Sequence, residues 1–205
     1  MFDIHLDRVN PAWAEKLPEL HYLVISSGNW FFRQNFFYDN GTLIGCTYCN
    51  DKSLTQHFSI EHAIRRVFST ALQFINRCEE CDDNLVTLLR TFSPPHFEHG
   101  SWFTGGYCNR TRPLNEGDVS LDENTFELRK IQLEEVGRIK EGEVRGKKRF
   151  EALDVTKAMM VRADGHPGSH VNWGRTSSVN DCLHWCLPGA IDMWNDLLLA
   201  TLKMN

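Results

Sequence analysis

The sequence predicts an α/β fold with a mainly parallel sheet, and three observations carry that expectation. Short apolar, β-branched runs alternate along the chain with helical stretches, in the order strand, helix, strand, helix, strand, helix. The longest of those stretches is strongly amphipathic at the helical period. Hydrophobic content of 41% over 205 residues (23.7 kDa) supplies one sizeable core, so global disorder is ruled out.

The elements follow in order. Tyr22 to Ser27 is a short apolar run ending at Gly28, a buried strand followed by a loop. Phe58 to Cys78 places Ala63, Ile64, Val67, Phe68, Ala71, Leu72, Phe74 and Ile75 on an apolar face, with Arg65, Arg66 and Gln73 opposite. Leu85 to Phe92 reads as a second strand, stopped by Ser93-Pro94-Pro95, and His96 to Pro113 as a Gly- and aromatic-rich loop. Asn124 to Lys140 is a charged helix. Leu153 to Val155 and Ala158 to Val161 read as a short, late strand region. Asp164 to Pro188 is a long polar loop, and Pro188 opens the last helix, with Ile191, Trp194, Leu197, Leu198 and Leu202 on its apolar face. In parallel sheets chemistry sits beyond the carboxyl ends of the strands. Here those ends are Gly28-Asn29, Ser93 to Gly106 and Ala163 to His184.

Charge excludes one class of partner. The chain has 22 basic and 27 acidic residues, a net charge of −5, and no basic run longer than Lys147-Lys148-Arg149, so nothing is built to neutralise a phosphate backbone. No apolar stretch approaches the roughly 20 residues that cross a bilayer, and the first thirty residues do not resemble a signal peptide. Two features pull the other way. Seven cysteines are many for a reducing compartment, and sequons stand at Asn40-Gly41-Thr42 and Asn109-Arg110-Thr111. One expectation covers these facts: the chain is N-terminally truncated and comes from a secretory-pathway protein.

The strongest constellation is Asp181-Cys182-Leu183-His184. A carboxylate and an imidazole three residues apart can share one face, the Asp fixing the His tautomer and leaving the other ring nitrogen as general base. The bland alternative is an Asp that caps a turn and a His packed beside Trp185. No Gly-x-Ser-x-Gly elbow or Gly-Asp-Ser supplies a nucleophile, and Ser26 and Ser27 lack glycine framing. Cys46-x-x-Cys49 and Cys78-x-x-Cys81 suit either a structural zinc or two disulfides, and the sequons favour disulfides. His96, His99, His166 and His170 lack carboxylate partners at ligand spacing and read as loop histidines, so no metal site is assigned. Trp102 in the aromatic loop, with Trp30, Phe31, Phe32, Trp173 and Trp185, offers faces on which sugar rings stack, although core packing is the simpler role for any one of them.

Several strings are similar to a known family. Asp164-Gly165-His166-Pro167-Gly168, Asn180-Asp181-Cys182-Leu183-His184-Trp185-Cys186-Leu187-Pro188-Gly189 and Asp192-x-Trp194-Asn195 resemble the C-terminal block of the plant trichome birefringence-like proteins. Ser93 to Glu98 with Gly105 to Thr111 resembles their central block, and Leu6 to Val9 with Val24 to Arg33 the segment before it. Trp30-Phe31-Phe32 and Gly45-Cys46-x-Tyr48-Cys49 look most like the xyloglucan O-acetyltransferase branch. The resemblance spans nearly the whole chain. It implies the C-terminal part, residues 1–205, of a three-layer SGNH/GDSL-like domain, anchored in the Golgi membrane and acetylating a cell-wall polysaccharide. A Ser-His-Asp triad would act by double displacement, with Asp181 its carboxylate and His184 its base. Asn29, Trp30, Arg33, His96, Trp102 and His166 are the residues expected to bind substrate. No cofactor is expected beyond an acetyl donor as co-substrate, and membrane contact only through an anchor outside this chain. Cys108 is expected to pair with Cys182 or Cys186, the sequence not choosing between them.

Two departures stand out. The family's Gly-Asp-Ser block lies upstream of these residues, and Gly28-Asn29-Trp30 stands where the family has Gly-His-Trp. The competing expectations are therefore a non-catalytic carbohydrate-binding remnant and an acetyl esterase, with a zinc module more distant.

Overall fold

The computed structural model describes residues 2–55, 58–119, 123–170 and 180–203. Strands are β1 (Phe2–His5), β2 (Tyr22–Ser26), β3 (Asn35–Asp39), β4 (Thr42–Thr47), β5 (Val86–Arg90) and β6 (Arg149–Leu153). Helices are α1 (Pro11–Ala14), α2 (Lys52–Thr55), α3 (Ile60–Arg77), α4 (Glu123–Glu141), α5 (Thr156–Met160) and α6 (Asp192–Lys203). The chain divides into two compact units, residues 1–92 with 126–152, and residues 93–125 with 153–205.

The first unit carries the expected parallel sheet, in the order β2-β5-β6. β2 and β5 run in register from Tyr22 opposite Val86 to Ser26 opposite Arg90. Val86 to Leu89 are all buried, so β5 is covered on both faces, which is why it reads as a continuous apolar run instead of an alternation. Ser59 caps α3 by accepting the His62 N–H at 3.2 Å. Ile64, Phe68, Leu72 and Ile75 of α3 and Leu128, Ile131 and Val136 of α4 join Leu85, Leu89 and Phe92 in one core cluster. Phe74, expected on the apolar face of α3, is exposed and meets the Trp13 ring edge-on.

A buried amide ties α4 to the strand ends. Gln132 Oε1 accepts the Phe92 N–H at 2.7 Å, and its Nε2 donates to the carbonyls of Arg90 and Ser27 at 3.3 and 3.4 Å. These backbone groups lie just beyond β5 and β2 or at their ends, so the amide fastens α4 to the carboxyl ends of both strands.

A second sheet, β1-β3-β4, was not anticipated. β1 pairs parallel with β3, and β3 and β4 form an antiparallel hairpin. Its turn is Asn40-Gly41 with φ of 48° and 76°, the positive pair that this dipeptide favours.

Two boundaries differ from expectation. The late strand is β6, ending at Leu153, and the next segment is α5. Val155, Thr156, Met159 and Met160 are buried, and pairs four apart mark a helix face, not alternation. β6 escaped notice because charged residues open it, with Lys148 just before it buried and donating to the Cys78 carbonyl at 2.9 Å. The last helix begins at Asp192, not Pro188. Gly189 has a φ of 137°, outside helical space, and its N–H donates to Asp192 Oδ2 at 2.7 Å.

Each CxxC closes on itself, as Cys46–Cys49 and Cys78–Cys81, so neither awaits zinc. Cys108 pairs with Cys182, and Cys186 is outside any disulfide. Among the described residues no helix is long and apolar enough to cross a membrane.

Candidate active site

In the second unit the Asp181 carboxylate does two jobs at once. Oδ1 accepts the backbone N–H groups of Leu183 and His184 at 3.1 and 2.9 Å, closing a turn. Oδ2 lies 2.8 Å from His184 Nδ1. A carboxylate accepts only, so Nδ1 carries the ring proton and Nε2 is the proton-accepting nitrogen. The two readings of this motif, turn cap and imidazole orienter, describe the same side chain.

Burial separates the pair. The Asp181 side chain is 2% exposed and that of His184 60%. Burial alone would raise the Asp181 pKa, but donation from the His184 N–H and ring and the Leu183 N–H outweighs it and holds the carboxyl below its usual range. The ion is thus kept charged in the interior while the imidazole it orients faces solvent.

The backbone around Asp181 is fixed from several directions. Asp181 and Gly168 exchange both N–H···O bonds at 2.9 Å in an antiparallel bridge. Cys182 is disulfide-bonded to Cys108, and its carbonyl accepts the His96 N–H at 3.0 Å. Gly168 has a φ of 55°, and a Cβ there would stand 3.0 Å from the Cys108 carbonyl, so only glycine fits without strain.

His96 and His166, expected as substrate contacts, are engaged within the protein. His96 Nδ1 lies 2.7 Å from His166 Nε2, and His166 Nδ1 lies 2.6 Å from the His184 carbonyl. His166 is 9% exposed, and its ring lies 4.0 Å from that of Trp185 at 31°. Trp185 Nε1 donates to Ser93 Oγ at 3.2 Å.

The other expected residues lie on other segments: Trp102 in the same unit, and Asn29, Trp30 and Arg33 in the first. Trp102 opens a tight turn in which Ser101 N donates to Thr104 Oγ1 at 2.8 Å, and the neighbouring Phe103 is 80% exposed. Asn29 and Trp30 lie in a short 3₁₀ turn of the first unit after β2. The Trp30 ring is exposed, with the Arg33 guanidinium 4.8 Å above its centroid. Trp173 lies outside the described residues. Ser26 accepts from Arg90 Nε at 2.8 Å, and burial pushes that guanidinium down to about 10. Among the described residues no group of three or more His, Cys, Asp and Glu gathers as a metal site would require.

Comparison with known proteins decides the family. The model of the GDSL/SGNH-like acyl-esterase family found in Pmr5 and Cas1p (PC-Esterase) matches residues 1–201. The chain belongs to this family. It is 47% identical over its whole length to xyloglucan O-acetyltransferase 3 of Populus trichocarpa, covering 51% of that protein. It is 48% identical to xyloglucan O-acetyltransferase 4 of the same species, and 40% to trichome birefringence-like protein 19 of Arabidopsis thaliana, over 99% of this chain in each case. The chain spans about half the length of these curated relatives.

Within this acyl-esterase domain, the strings that carried the resemblance have local physical reasons. In Asp164-Gly165-His166-Pro167-Gly168, the first glycine packs against Ala190 and Trp185, and the second supplies the bridge to Asp181. Ser93 and Trp185, as partners of each other, were not singled out from sequence. Nothing local signals them, since 92 positions separate the two.

Proposed function

We propose that this chain supplies the acid–base half of a polysaccharide O-acetyltransferase acting on xyloglucan in the plant cell wall. The observation that carries the reading is the buried Asp181 carboxylate 2.8 Å from Nδ1 of the exposed His184 in an acyl-esterase family member. The names of the relatives support xyloglucan as acceptor.

On this reading the nucleophile is a serine from outside these 205 residues. Its hydroxyl attacks the carbonyl carbon of an acetyl donor while His184 Nε2 takes the hydroxyl proton. His184 returns that proton to the departing group, leaving an acetyl-serine. A xyloglucan hydroxyl then attacks the ester and gives its proton to Nε2, and the serine recovers it on release. Asp181 stabilises the imidazolium in both steps. Asn29, Trp30 and Arg33 are proposed glycan contacts, through stacking and hydroxyl bonding, and Trp102 is proposed separately as a stacking face. No cofactor takes part beyond the donor. The proposed compartment is the Golgi lumen, where disulfides persist, and the exposed Asn40 and Asn109 sequons are open to glycosylation.

The test joins this chain to the half of Populus xyloglucan O-acetyltransferase 3 that it does not cover, and follows acetylation of xyloglucan oligosaccharides by mass spectrometry. Transfer is expected, falling at least about a hundredfold in His184→Ala. A folded chimera that does not transfer, or a His184→Ala form that transfers at the parent rate, overturns the proposal. Release of acetate with no acetylated sugar assigns the chain to esterases instead.

A further inference from the structure

Three short contacts run from the Met160 carbonyl through the half-buried His96 and the buried His166 to the His184 carbonyl, and their proton count does not close with two neutral rings. His96 Nε2 lies 2.9 Å from the Met160 carbonyl, and His166 Nδ1 lies 2.6 Å from the His184 carbonyl. A carbonyl only accepts, so each of these nitrogens carries a proton. In a neutral imidazole the second nitrogen is then a lone pair. Yet the second nitrogens, His96 Nδ1 and His166 Nε2, stand 2.7 Å apart.

Two facing lone pairs at that distance repel, whereas one proton between them makes a charge-assisted N–H···N bond. Turning either ring over would not relieve the conflict without setting a ring carbon against a carbonyl that now receives an N–H. Trp185 restricts the rings as well, stacked on His166 at 4.0 Å and meeting His96 at 81°.

We propose that His96 and His166 hold one proton between them as an imidazolium–imidazole pair, and that the pair is the positioning device of His184. The pair holds the main-chain carbonyl of His184 while Asp181 holds its ring. The catalytic consequence rests on the Asp181–His184 reading above; the proton count does not.

The charges that reach the pair are Asp164, itself bonded to Arg162 at 2.9 Å, with Asp181 and Arg110. Burial lowers His96 and by itself favours neutral rings. The 2.7 Å separation favours the shared proton, because at that distance facing lone pairs repel while one proton between them bonds both nitrogens. Burial above all, with the charge of His96 beside it, pushes His166 down to about 4.

The test is nuclear magnetic resonance of the 205-residue chain labelled with nitrogen-15 histidine. At neutral pH one ring proton is expected to couple to nitrogens of both His96 and His166, and to vanish in His166→Phe. Two separate neutral rings in the parent, each with its own N–H and nothing shared, would overturn the proton assignment. For positioning, exchange of the His184 Nδ1 proton with water is expected to be at least tenfold faster in His166→Phe. His166→Asn, whose amide N–H can reach the same carbonyl, is expected to restore near-parental exchange. A packing role would give the reverse order, because Phe keeps a ring on Trp185 and Asn does not. Parent-like exchange in His166→Phe sinks the positioning role. If that variant fails to form the Cys108–Cys182 disulfide, the parent spectrum and His166→Asn still decide. No acetyl donor enters these measurements, so a failure of acetyl transfer leaves them standing.

Discussion

Asp181 concentrates the chemistry of the site in two oxygens with different duties. Replacing it with Asn keeps an oxygen for the Leu183 and His184 N–H groups but turns an amide N–H toward His184 Nδ1, which forces the other tautomer. Asp181→Asn is therefore expected to keep most of the stability and to lose about 10³-fold or more in acetyl transfer by the chimera, measured as initial rates. The depressed pKa adds a pH signature of definite sign. A carboxyl held below its ordinary value stabilises the fold above that range, and the stabilisation is lost as pH falls through the native value. Thermal melts from about pH 5 to about pH 2 should show the parent losing its advantage over Asp181→Asn below about pH 4. An advantage independent of pH would remove the ionised carboxylate from the account.

At the scale of elements, the site depends on irregular backbone more than on helix or strand. Gly168 combines a φ of 55° with close approach to the Cys108 carbonyl, so Gly168→Ala is expected to cost about 1–3 kcal/mol in denaturant unfolding. An unchanged midpoint would show that the bridge to Asp181 tolerates movement. Helix α3 and strand β5 were legible because each carries its burial pattern within a few adjacent residues. The β3–β4 hairpin is marked in sequence only by Asn40-Gly41, a strong turn signal that is also the start of a sequon. Both properties belong to the one dipeptide, since an exposed tip with positive φ is also an accessible asparagine. Helix α5 resembles a strand in sequence because Met159 and Met160 extend an apolar run whose period is ambiguous over five residues.

At the scale of the whole molecule, long-range covalent and edge features govern stability. Cys108–Cys182 spans 74 positions, and in the chain-entropy account such a loop contributes about 4 kcal/mol. Replacing both cysteines with Ser should lower the unfolding free energy by about 2–5 kcal/mol and loosen the turn that holds His184; denaturant titration checks the first effect. Strand β2 ends the order β2-β5-β6 and exposes Tyr22 and Val24 at 61% and 45%. An apolar strand at a sheet edge is a template for further pairing. Light scattering should find concentration-dependent self-association of the chain, reduced in Val24→Lys; association unaffected by that change would place the contact elsewhere.

Local patterns in the chain are enough for the α/β class, the amphipathic helices and the Asp181–His184 pairing. Each depends on residues near one another in the chain, where period and spacing dictate which side chains share a face. The family is legible there too, through strings specific enough to be matched residue by residue. That Cys108 takes Cys182, leaving Cys186 outside the disulfides, and that His96 and His166 meet are settled by packing in three dimensions. Those partners lie 74 and 70 positions apart. No local periodicity brings such groups together; the packing of loops between them does, and with it the surroundings that set their protons.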